Sequence, residues 1–72
     1  MKLSNIKKGE KVKIMSIPDE NIRVQAIRIG LYEGAKLVCF EKIPSGPVIL
    51  KNRFQEIAIG RNLANSIMIE AV

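Results

Sequence analysis

Polar and apolar residues alternate through Lys11-Val12-Lys13-Ile14, the signature of a strand with one buried face, so Val12 and Ile14 are expected inward and both lysines outward. The alternation slips at Met15-Ser16-Ile17, which fits either a bulge or the strand's end, and Pro18 stops it. Asp19 is a suitable N-cap, and Ile22, Ala26 and Ile29 then recur at i, i+4 and i+7, with Arg23, Gln25 and Arg28 off that stripe. The spacing predicts a short helix with Val24 and Ile27 widening its apolar face. Gly30 stands where a left-handed C-terminal cap belongs.

Tyr32-Glu33-Gly34-Ala35 reads as a turn. A second strand follows from Lys36 to Lys42, with Leu37, Cys39 and Glu41 on one face and Val38 and Phe40 on the other. Ile43-Pro44-Ser45-Gly46-Pro47 is the densest turn signal in the chain, and it predicts a hairpin into a third strand over Val48-Ile49-Leu50-Lys51. Asn52-Arg53 breaks the run before a fourth strand, Phe54 to Ile59. One helical turn fits Gly60 to Asn65, and a fifth strand fits Ser66 to Glu70. Five short strands with one helix inserted after the first predict a mainly β fold, a small five-stranded SH3-like barrel.

Length sets the scale of what this fold can do. The 72 residues, 1–72, make one domain, whose small core leaves little room for a deep cleft. There is no His and no Trp, and Cys39 is the only cysteine, so zinc fingers, disulfide frameworks and imidazole acid–base pairs are excluded. No apolar run approaches the roughly 18 residues of a membrane span, and with no apolar stretch behind the first lysines no secretory signal is expected. A cytoplasmic location is the expectation, with the lone thiol kept reduced.

The net charge of +5 is unevenly placed. Residues 1–13 carry five lysines against Glu10, a net of +4, whereas the rest of the chain is near balance at +1. Such a segment can meet nucleic acid or an acidic protein face, and it can equally be a solvated lysine face that guards a strand edge. Lysine is the weaker choice for planar readout of guanine or phosphate, which disfavours nucleic acid.

Little else carries chemistry. Cys39 lies mid-strand between Val38 and Phe40, where a small buried hydrophobe is the ordinary role. The glycines stand singly rather than in phosphate-cradling spacing, and the carboxylates are scattered over different elements. Nothing pairs a nucleophile with a base, so no enzyme and no small-molecule substrate is expected. The loop Gly30-Leu31-Tyr32-Glu33-Gly34 differs in kind. It follows a helix cap and precedes a strand, which would display Leu31 and Tyr32 at a rim with Arg28 one turn back. These three are the candidate partner-binding residues, Leu31 and Tyr32 for apolar contact and Arg28 to steer an acidic face.

Leu3, Ile6, Gly9-Glu10, the helix end Ile29-Gly30-Leu31, the Gly34 turn, the Gly46-Pro47 hairpin, Ile57-Ala58-Ile59, Ala64, Ile67 and Ile69 form an ordered set. In that order the chain resembles the ferrous iron transport protein A (FeoA) family over nearly its whole length, with Gly30-Leu31-x-x-Gly34 as the strongest element. The resemblance implies an SH3-like fold shared with the C-terminal domains of iron-dependent repressors. It also implies an accessory of ferrous iron uptake that docks on the cytoplasmic GTP-binding region of the FeoB transporter, reaching the membrane through that partner only, and a general association with transition metals. No cofactor is expected, with weak binding of Fe(II) or another divalent transition metal left open. Two alternatives stand beside the adaptor, a basic regulatory module on nucleic acid and a weak metal sensor. Weak self-association through exposed strand edges is a further expectation.

Overall fold

In the computed structural model, which describes residues 1–53 and 55–72, a 3₁₀ turn at Leu3–Asn5 precedes β1 (Lys11–Ser16), α1 (Glu20–Arg28), β2 (Lys36–Lys42), β3 (Val48–Lys51), β4 (Glu56–Ile59), α2 (Arg61–Asn65) and β5 (Met68–Ala71). All pairings are antiparallel, in the order β4-β3-β2-β1-β5. The alternation in β1 works as expected: Val12 and Ile14 are fully buried and Lys11 is exposed. The slip after Ile14 is a bulge against β5, and a second register shift, between Cys39 and Glu41, interrupts the β2–β3 ladder. Each bends its strand locally.

The expected barrel is corrected to an open sheet, since β4 and β5 are its two edges and do not pair with each other. The reason lies at the N-terminus. The Leu3 N–H donates to the Ile67 carbonyl at 2.8 Å, the Ile69 N–H donates to the Met1 carbonyl at 2.7 Å, and Lys2 bridges Met68. The first residues thus lie along the outer side of β5 and take the hydrogen bonds that closure would need. The predicted start of the fourth strand at Phe54 lies outside the described residues, and β4 begins at Glu56. β5 is displaced two residues past its predicted start, because Ser66 caps α2 through its N–H and Ile67 turns inward as core.

The core gathers Leu3, Ile6, Val12, Ile14, Ile17, Ala26, Leu31, Leu50, Ile59, Ala64 and Ile67, each with no exposed surface, alongside Leu37, Cys39, Val48, Ile57 and Ile69. Aliphatic side chains dominate it, and Phe40 is half exposed. Asp19 caps α1 as predicted, its carboxylate accepting from the Asn21 N–H at 2.9 Å and the Ile22 N–H at 3.2 Å.

Candidate functional site: the α1 face and its C-terminal rim

The end of α1 is a Schellman motif. Gly30, at φ +92, donates its N–H to the Ile27 carbonyl at 3.1 Å, and Leu31 donates to the Ala26 carbonyl at 2.8 Å. Chain reversal of this kind brings the residue after the glycine back against the last inward-facing helical residue. Leu31 and Ala26 are accordingly both fully buried. The expectation that Leu31 forms an exposed rim is therefore corrected: its side chain belongs to the core and cannot supply apolar contact to a partner.

Tyr32 does stand at the rim, 54% exposed. It opens the turn closed by the Ala35 N–H on the Tyr32 carbonyl at 3.0 Å, with Gly34 at φ +94 in the third position, as a type II turn demands. That turn is fixed to β1 by reciprocal bonds, from the Gly34 N–H to the Ile14 carbonyl (2.8 Å) and from the Ile14 N–H to the Ala35 carbonyl (2.9 Å). Tyr32 is thus presented on a pinned turn. Arg28 is exposed, and no carboxylate lies within 4.0 Å of it among the described residues.

The helix turns the expected Ile22 and Ala26 inward, but its apolar face is narrower than the sequence suggests. Ala26 alone is fully buried and Ile22 packs against the core, while Ile29 is exposed and Val24 and Ile27 are 49% and 55% exposed. A β-branched residue costs helix stability and gains nothing from solvent, so two of them facing water need another reason. Val24, Ile27 and Arg28 fall at i, i+3 and i+4, one stripe of the helix surface, and the rim beyond carries Ile29 and Tyr32. Sequence reasoning missed this stripe because the apolar positions surround more than half of the helix. A signal was present: Gly30 as a cap glycine assigns Leu31 and Ala26 to the interior, which turns Ile27 outward.

The neighbouring loop braces this surface. Gln55 donates its Nε2–H to the Ile29 carbonyl at 3.1 Å, and Arg23 Nη1 donates to the Ile17 carbonyl at 3.3 Å. Both bonds fix α1 on the sheet and leave its outer stripe uncovered.

Burial pushes the Cys39 thiol up, with Glu10 and Glu41 adding to the rise against a lowering by Lys42 and by the backbone at Glu41, so the thiol is neutral at physiological pH. Glu10 accepts the Lys7 N–H at 2.6 Å and Glu41 meets Lys8 at 3.4 Å. Among the described residues no three His, Cys, Asp or Glu side chains come together as a metal site, and no helix is long and apolar enough to cross a membrane.

Known proteins share this architecture. A crystal structure of iron uptake regulatory protein (FeoA) superposes with a TM-score of 0.90 at 30% identity, covering 100% of this chain and 97% of the other. The FeoA protein of Chlorobium tepidum follows at 0.85 and 28% identity, covering 100% and 70%. ScaR with bound Zn2+ matches at 0.89 with 19% identity over 37% of its own length, a likeness of fold alone. No curated protein matches the sequence. The FeoA domain model matches residues 1–71, and with its Gly30 cap, Gly34 turn and open five-stranded sheet the chain belongs to the FeoA family.

Proposed function

We propose that this protein is a cytoplasmic protein-docking accessory of ferrous iron uptake, and that it binds the GTP-binding region of a FeoB-type transporter through the α1 stripe and the Tyr32 rim. Membership of the FeoA family supports the process. The observation that carries the docking surface is the set of large apolar side chains facing solvent on one short helix and its rim: Val24, Ile27, Ile29 and Tyr32. Arg28, on the same stripe, steers an acidic partner face, a contribution that acts on association rate more than on affinity. Binding, rather than turnover, is what this surface offers, since it lacks a nucleophile–base pair.

The test is calorimetric titration of the transporter's cytoplasmic domain with wild-type protein and with Ile27→Asp/Tyr32→Ala. Both side chains are exposed, so the variant keeps its fold, verified by its circular dichroism. Truncating two central contacts lowers affinity by about 100-fold or more. Equal affinity for the two proteins removes the α1 stripe as the docking surface.

A further inference from the structure

On the outer face of the sheet lies a groove of about 520 Å³ lined by Lys11, Lys36, Val38, Lys51, Arg53 and Val72 among others. Its plan follows from strand register. Lys11 pairs with Val38 across β1–β2, and Val38 pairs with Lys51 across β2–β3. Directly opposed residues share a face, and neighbouring strands are about 4.8 Å apart, so the Cα atoms of Lys11 and Lys51 flank Val38 at about 10 Å from each other. Lys36, two residues before Val38, lies on the same face one pleat along β2. Lysines therefore surround an aliphatic floor on three sides.

This charge is only partly offset from within. Among the described residues no carboxylate lies within 4.0 Å of Lys11, Lys36 or Lys51, although Glu56 faces Lys51 in register across β3–β4 and Glu70 faces Lys13 across β1–β5. The Lys51 ammonium instead sits 5.1 Å from the Phe40 ring centroid, which orders it and covers part of an exposed aromatic face. A like-charge cluster around an apolar strip is unfavourable in isolation and favourable when matched by carboxylates.

We infer that this groove binds an acidic peptide segment of a partner protein, one apolar side chain of the segment resting on Val38 and Val72 while its carboxylates pair with Lys11, Lys36 and Lys51. Val38 and Val72 between the lysines give an aliphatic seat for one side chain of an extended segment. The surface is distinct from the α1 stripe, and the inference does not rest on the docking reading given above.

Fluorescence anisotropy of a labelled synthetic peptide alternating Glu and Phe, titrated with the intact protein at low and at physiological salt, tests it. The expected result is saturable binding that weakens with salt and falls by about tenfold or more in Lys36→Glu/Lys51→Glu, yet is unchanged in Ile27→Asp/Tyr32→Ala. Circular dichroism confirms that the charge-reversal variant is folded, and Lys36→Gln/Lys51→Gln gives an intermediate loss. No saturable binding, equal binding by the charge-reversal variant, or tighter binding of a labelled oligothymidine or of phosphatidylserine vesicles than of the peptide overturns the proposal.

Discussion

Leu31→Ala separates an interior role from a surface one. The side chain has no exposed surface and packs against the core beside Ala26, where the Schellman turn places it. Removing three buried carbons at such a position costs about 3 kcal/mol, transfer and residual cavity together. A domain of this size holds only about 4–10 kcal/mol in total, so the loss is a large share of its stability. With an m-value of about 1 kcal/mol per molar urea, the unfolding midpoint falls by about 3 M. With an unfolding entropy of about 150 cal/mol/K, the melting temperature falls by about 20 °C. Urea titration and a thermal melt, both followed by far-ultraviolet circular dichroism, read these shifts. Leu31→Met keeps the volume and loses less than about 1.5 kcal/mol. A Leu31→Ala protein that unfolds within about 0.5 kcal/mol of wild type, while its affinity for the transporter domain drops, would place Leu31 on the surface and refute the assignment.

Two further substitutions probe the same local physics. Gly34→Ala meets nothing within 4 Å, so its cost of about 1–2 kcal/mol comes from the positive φ alone. Gly30→Ala carries that cost and in addition sets a methyl 2.5 Å from Gln55 Nε2, displacing the bond to the Ile29 carbonyl; it is therefore the more destabilising of the two in parallel urea titrations, and the reverse ranking contradicts the capping geometry. Because burial raises the Cys39 thiol above its ordinary range, the folded state holds that proton to higher pH than the unfolded chain does. The resulting stability is present below the ordinary thiol value and is lost as pH rises through the folded one. Stability of wild type relative to Cys39→Ala, measured by urea titration from neutral to alkaline pH, therefore declines; a constant difference would show that the thiol titrates alike in both states. Native protein also reacts with a chromogenic disulfide far more slowly than protein in urea.

Where periodicity had a single reading, the sequence was a good guide. β2 and β3 have the predicted bounds, and the Asp19 cap and the Gly30 left-handed turn are present; of the two readings of the slip after Ile14, the structure has the bulge. Local chemistry decides these features. Two others depend on tertiary geometry and were misread. Ile22 and Ala26 of α1 meet the core as predicted, but the apolar positions wrap around the helix, so Val24, Ile27 and Ile29 were assigned to that same face although they look outward. Closure of the sheet depends on whether β4 reaches β5, and the N-terminal residues, unremarkable in pattern, take that place. Of the candidate site, Tyr32 and Arg28 were legible as exposed loop and helix-end residues. The Val24–Ile27 stripe was hidden in a helix read as facing inward, and the lysine-walled groove exists only once register aligns Lys11, Val38 and Lys51.

The N-terminal residues along β5 also bear on how the chain reaches its folded state. Met1 and Ile69 meet although 68 positions separate them in sequence, and β1 must await β5 as well. The β2–β3–β4 meander, by contrast, joins neighbours through short connections. Such a wiring predicts that the meander assembles early and that the ladder to β5 forms in a late, slower step set by closure of the long loop between Met1 and Ile69. On a ribosome, the final ladder cannot form until Ala71 has left the exit tunnel.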